Sequence, residues 1–342
     1  MITTESSKYV TSLSKNLKLI NSKYLKLLFN ILDNHKFKYS DNIISIYNNR
    51  YPLTSNKYID KNLLRKIKSN THVYQYNWSI NKSKCNFYYY TKNNYNDLII
   101  DKYIYIISFI ISLSKVTRNI DIHLTHLDDK KIFDNKFTPN NINSGLTYIN
   151  NNTSIVYVYR KEESVKVLIH ELLHAINISD IPNNSNIVDS YNNLYNIKTS
   201  SININETYTE IWAKLLNCFF VSYFSKNHNY KNYNKFVSIE KKFTQIQAYK
   251  IISFINNHKN ININKHTHVV GYFLCINQLF NNIDEFLEYR SKNKNIIFLD
   301  NNLSFINFML NNQDYVTHKI KKNSIFKDTF RMTAVELNLS RR

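Results

Sequence analysis

The chain has 342 residues, 43% of them hydrophobic, which is enough for a packed core and excludes a disordered polar chain. Its net charge of +20 rests on 45 lysines and arginines against 25 acids, yet only eight of the bases are arginine and the lysines are scattered. Bidentate arginine contacts to phosphate or guanine are therefore scarce, and nucleic acid is not the expected partner.

Lys, Asn, Ile, Tyr and Phe abound, whereas Gly occurs twice and Pro three times. The favoured residues have A/T-rich codons, so codon drift accounts for a scattered lysine excess. Cys85, Cys218 and Cys275 stand alone, which argues against a disulfide framework or a Cys-x-x-Cys knuckle and fits a reducing compartment. The N-terminus lacks the apolar core of a signal peptide. The most apolar stretch, 103–113 (YIYIISFIISL), falls well short of the roughly 20 residues that span a bilayer. No membrane span is expected, and an intracellular, cytoplasmic location follows.

Leu17, Leu19, Ile20, Tyr24, Leu25, Leu27, Leu28 and Ile31 recur at spacings of three and four, predicting an amphipathic helix over 11–32. Residues 34–70 read as loops with a short helix near 62–68. HVYQYNWSI and CNFYYYTK predict a hairpin. A buried helix is expected within 96–114, a half-buried strand over 119–127, then strands in GLTYI and SIVYVYR and a helix over the run that follows. Residues 179–196, which contain Pro182, read as a surface loop, and helices are predicted over 206–224, 236–255 and 268–280. The expected fold is α+β: a small mixed sheet with a helix against it, then a mostly helical C-terminal part. Three segments are expected: 1–95 (helix and hairpin), 96–180 (sheet and central helix) and 181–342 (helical).

That central helix contains VLIHELLHAI, residues 167–176. His170, Glu171 and His174 form H-E-x-x-H, and four residues is about one helical turn. Both imidazoles therefore leave one face and can reach a single Zn²⁺ at about 2.0–2.1 Å. Glu171 lies about 100° round the helix, placed to take a proton from a metal-bound water. Chance places this pattern about 0.01 times in a chain of this composition, so a plain amphipathic helix is the weaker reading.

Two places compete for a third zinc ligand. In NETYTEIWAKL, Glu206 and Glu210 are one turn apart, so the first can complete the metal shell and the second can accept the outer N–H of a histidine ligand. Asp180 is the other, six residues after His174. It has Asn177 where a sharply turning chain prefers glycine, and no methionine lies where a Met-turn would need one.

HELLH followed by NETYTE resembles the gluzincin metallopeptidases, whose pattern is H-E-x-x-H and then N-E-x-x-x-D/E on a later helix. The likeness spans roughly residues 146–216. It implies a zincin-like fold, one Zn²⁺ held by His170, His174 and Glu206, Glu171 as general base and Glu210 behind the ligands. The 31 residues between His174 and Glu206 exceed the thermolysin spacing and imply an inserted loop. The resemblance also implies a substrate-binding edge strand, here Asn143, Ser144, Gly145 and Leu146 running on to Ile149, and an oxyanion donor in KHTHVVGYFLC, where His266, His268 and Tyr272 are the candidates. His123 and His126 are expected to be structural.

The expected activity is zinc-dependent hydrolysis of a peptide or protein substrate, as an endopeptidase. A non-catalytic zinc-bearing structural or virion protein and a basic nucleic-acid binder are the alternatives. The composition suits a gene of a large DNA virus or an A/T-rich parasite, which would place the protein in host cytoplasm or virion.

Overall fold

The computed structural model describes residues 2–94, 98–114, 117–134, 137–258, 263, 267–314 and 325–340. The fold is α+β, with a mixed six-stranded sheet and a mostly helical C-terminal part. The chain forms two compact units. One comprises His35–Lys131, Asn143–Asn177 and Asn338–Arg342, and the other Met1–Asn34, Ile132–Ile142 and Ile178–Leu337. The N-terminal helices thus belong to the same unit as the C-terminal ones.

The first unit holds the sheet. Its strands are β1 (Ile43–Asn48), β2 (His72–Ile80), β3 (Ser83–Thr91), β4 (Asn119–Leu127), β5 (Gly145–Ile149) and β6 (Thr153–Arg160), in the order β1-β2-β3-β4-β6-β5. β3, β4 and β6 run parallel, while β1, β2 and β5 pair antiparallel. The predicted hairpin is β2–β3, turning at Asn81 in the left-handed region, φ 53°. β1 lacks a sequence signal because all six of its residues are exposed, so alternation of buried and exposed positions never arises.

Helices α1 (Thr4–Ser14) and α2 (Lys23–Asp33) precede the sheet, α3 (Lys61–Lys68) and α4 (Ile100–Ser112) are interleaved with its strands, and α5 is a single turn, Pro139–Ile142. α4 is the crossover between parallel β3 and β4. One sheet face carries Phe87, Ile122, Val156 and Val158, and it packs under α4 and α6 (Ser164–Ala175). The other gathers Tyr51, Leu63, Ile67, Tyr90, Tyr157 and Tyr159 into an apolar cluster with α3. His123 lies on this second face, stacked between Tyr88 and Tyr157 at ring separations of 4.7 and 5.1 Å. Burial pushes its pKa down to about 3, so it is a neutral packing residue.

The second unit is helical. The helix predicted over 11–32 is two helices, because Asn16 leaves α1 at a left-handed φ of 54° and Ser22 caps α2, its hydroxyl accepting from Leu25 N at 2.9 Å. The expected loop over 179–196 contains α7 (Ser185–Tyr195), started by Asn184 and buried through Ile187, Tyr191 and Tyr195 at a spacing of four. α8 (Ile204–Tyr223) and α9 (Tyr230–Asn257) pack together, and a π-helical stretch, Val270–Cys275, runs into α10 (Ile276–Asn281). α11 (Ile283–Ser291) and α12 (Asn302–Asn311) follow.

The tail after residue 325 lies buried against α8 and α9, and its backbone is held by charged side chains. Glu240 accepts from Ala334 N and Val335 N, each at 2.8 Å, and pairs with buried Lys214 at 3.3 Å. Lys250 donates to Phe326 O at 3.0 Å and to Thr329 O, over the rings of Phe133 and Phe330.

Burial lowers the Lys250 pKa from its ordinary value to about 7, so between about 7 and 10.5 the unfolded chain binds more protons there than the folded one. Stability from this site is therefore expected to rise with pH through that window. In thermal unfolding, the wild-type midpoint should gain on that of Lys250→Met between pH 7 and 10; a constant difference would refute the burial of this charge.

Candidate metal centre

α6 is apolar almost all round. Val165, Leu168, Ile169, Leu172 and Leu173 are buried at 0% exposure, which marks an interior helix and not a surface one. Its first turn is set by Glu163, left-handed at φ 62°, whose carboxylate pairs with Lys131 at 2.8 Å in full burial. The helix packs on β5, β6 and α4.

His170 is buried and His174 half-buried on this helix. Their Nε2 atoms lie 3.1 Å apart, with ring centroids 4.8 Å apart and planes at 71°. Tetrahedral zinc with bonds of about 2.0–2.1 Å separates two ligand nitrogens by about 3.3 Å, close to the spacing of this pair. Asn177, left-handed at φ 56°, then ends the turn and donates from its N–H to His174 O at 2.9 Å. Asparagine adopts here the conformation for which glycine is usual.

Glu171 faces β5. Thr147 Oγ1 lies 2.8 Å from Glu171 Oε2 and 3.0 Å from Glu171 O, and its single proton can be donated to the carboxylate. Two residues earlier on the same pleat is Gly145. A Cβ there would sit 2.8 Å from Val167 Cγ1 and 2.9 Å from both Cγ and Oε1 of Glu171. β5 is an edge strand of the sheet, so Glu171 lies against a strand whose other side has no strand partner among the described residues. Sequence reasoning missed Thr147; its signal was the period of two from Gly145.

The helical unit carries the other candidates. Asn203 caps α8, its side chain accepting from Asn205 N at 3.1 Å and Glu206 N at 3.3 Å. Glu206 therefore sits in the first helical turn, where the helix dipole favours a carboxylate. Asn205 Oδ1 accepts from Ser179 Oγ at 2.8 Å and Ile181 N at 3.1 Å, so the asparagine of the N-E pair ties down the turn around Asp180. Asp180 itself is exposed, and its carbonyl accepts from Asn302 at 2.6 Å. Glu210 is fully buried one turn after Glu206.

Tyr272 donates its hydroxyl to Glu206 Oε2 at 2.7 Å. It lies in the π-helical stretch, and its N–H donates to the carbonyl of His268, a half-buried residue at φ 50° whose ring is 6.1 Å from that of Tyr272. His266 lies outside the described residues. His170 and His174 belong to the sheet unit and Glu206 to the helical unit.

The chain is similar to "Uncharacterized protein R210" of Acanthamoeba polyphaga mimivirus, 26% identical over 318 residues that cover 83% of this chain and 79% of that protein. The chain thus has a viral homologue. No family model and no solved structure matches it.

No helix among the described residues is long and apolar enough to cross a membrane. Chemically, the residues supply two convergent imidazoles, a carboxylate in a helical first turn and a second carboxylate gripped by an edge strand. That grip is testable. Gly145→Ala is expected to cost about 1–3 kcal/mol in urea unfolding, because the added methyl must displace Val167 and Glu171. A variant as stable as the wild type would refute the close approach of β5 to α6.

Proposed function

We propose that the protein is a zinc-dependent endopeptidase in which His170, His174 and Glu206 hold the ion and Glu171 is the general base. The observation that carries this reading is the pair of histidine Nε2 atoms 3.1 Å apart on one turn of a rigid helix. Without an ion one neutral imidazole can donate to the other at this distance; a cation shared by both ring nitrogens fits the same approach. The donor set, two histidines and one glutamate, is that of catalytic zinc sites that keep a coordination position open.

Bound zinc would lower the pKa of a water towards neutrality and polarise a carbonyl oxygen. Glu171 then takes the proton from the nucleophilic water and passes it to the departing amine. Thr147 holds Oε2 of Glu171 through a hydroxyl hydrogen bond at 2.8 Å, which orients the carboxylate. An extended peptide adds to the outer edge of β5 through main-chain hydrogen bonds; of the expected edge residues Gly145 and Leu146 lie on that strand, while Asn143 and Ser144 precede it. Glu210 serves as the buried acceptor that fixes a histidine tautomer. His268, whose ring is 6.1 Å from that of Tyr272, and Tyr272 are both candidates for stabilising an oxyanion.

Metal analysis and a broad peptide library test this together. The wild type is expected to carry one zinc per chain and to cleave. Glu171→Gln should keep the zinc while kcat falls by about 10²–10⁴-fold, and His170→Ala or His174→Ala should lose the metal. Zinc bound without any cleavage by the wild type would favour a structural zinc protein instead, and no zinc at all would end the metal reading.

A further inference from the structure

Tyr272 is held in place by an unusual piece of backbone. Val270–Cys275 is π-helical, a form that is rare in proteins and concentrated at functional sites. Gly271 lies at its start, and a Cβ there would stand 2.9 Å from Asn203 O and 3.1 Å from Thr207 Oγ1. Asn203 O is a backbone atom in the cap of α8, so it cannot swing aside. Thr207 Oγ1 closes the contact by donating to Gly271 O at 3.2 Å. The π turn is thus clamped to the residues on both sides of Glu206, and the next side chain along it delivers a phenol to that carboxylate at 2.7 Å.

We infer that Tyr272 is a positioning residue that fixes the carboxylate of Glu206 for the metal, and that the Gly271 π turn is the device that puts it there. The inference rests on the zinc reading above. A ligand carboxylate left to rotate loses entropy when it binds a metal; one whose Oε2 already accepts a hydroxyl proton has less freedom to lose. This role differs from that of an oxyanion donor, which would act on substrate and leave metal affinity untouched.

The test is a zinc dissociation constant, measured by competition with a chelating dye, for wild type, Tyr272→Phe, Glu206→Gln and the double variant. Thermal unfolding serves as the check on folding. Tyr272→Phe removes one oxygen from a half-buried side chain, and it is expected to weaken zinc binding about 10–100-fold in the wild-type background. In the Glu206→Gln background the same change should alter it by less than about twofold, because the group it positions is already altered. Gly271→Ala, with the phenol intact, should also weaken binding.

An unchanged dissociation constant in Tyr272→Phe, whether or not kcat falls, overturns the positioning role. So does an equal loss in both backgrounds. If Tyr272→Phe fails to fold, unaltered zinc affinity in Gly271→Ala overturns it by itself. A wild type that binds no zinc sinks the metal reading, and this inference with it; a wild type that binds zinc while Tyr272→Phe and Gly271→Ala bind it as tightly sinks the inference alone.

Discussion

At residue 145 there is no room for a methyl group, because a Cβ there would stand 2.9 Å from the side chain of Glu171. At residue 271 the same is true against the cap of α8. These are the only two glycines in the chain, and neither has a positive φ. They are present for the space they leave. The left-handed positions that glycine usually serves are taken at Asn16, Asn81, Asn177 and Asn196 instead. Asparagine tolerates that conformation at modest cost, so a composition drifting towards A/T-rich codons can replace glycine in turns. It cannot replace glycine where a Cβ would overlap a neighbour. Each glycine presses one element against a helix that carries a candidate carboxylate.

Electrostatics follow the same division between surface and interior. Most of the +20 charge is scattered lysine, but Lys131, Lys214 and Lys250 are buried and each has named acceptors. Lys131 with Glu163 sets the start of α6, while Lys214, Glu240 and Lys250 hold the tail on the helical unit. Buried pairs of this kind add little net stability, because desolvation offsets their attraction. Breaking one leaves an uncompensated charge, so they penalise alternative packings. His123 shows the opposite solution, since its stacked aromatic surroundings keep it neutral and the ring serves as a flat apolar body.

The proposed chemistry draws on rigidity more than on any single residue. Two histidines one turn apart on an exposed helix would sample many rotamers. On α6, packed on most sides, they converge. Thr147 and Tyr272 extend that restraint to the carboxylates, each by one hydroxyl hydrogen bond of 2.7–2.8 Å. Preorganisation of this type reduces the reorganisation that a reacting site must undergo.

Local pattern determined much of this protein. H-E-x-x-H at helical spacing, the alternation of Asn119–Leu127, the aromatic hairpin and the helical run from Glu206 could all be read in order along the chain, because periods of 3.6 and 2 are properties of neighbouring residues. So could the left-handed Asn177. Exposed β1, with no buried face, and α7, whose three buried positions are diluted by asparagine, could not. Nor could the contacts that give the candidate site its shape: Thr147 on Glu171, Tyr272 on Glu206, and the two glycines beneath them. Those depend on how closely two distant stretches of backbone approach, a distance set by packing of the whole unit, and no spacing along the chain encodes it.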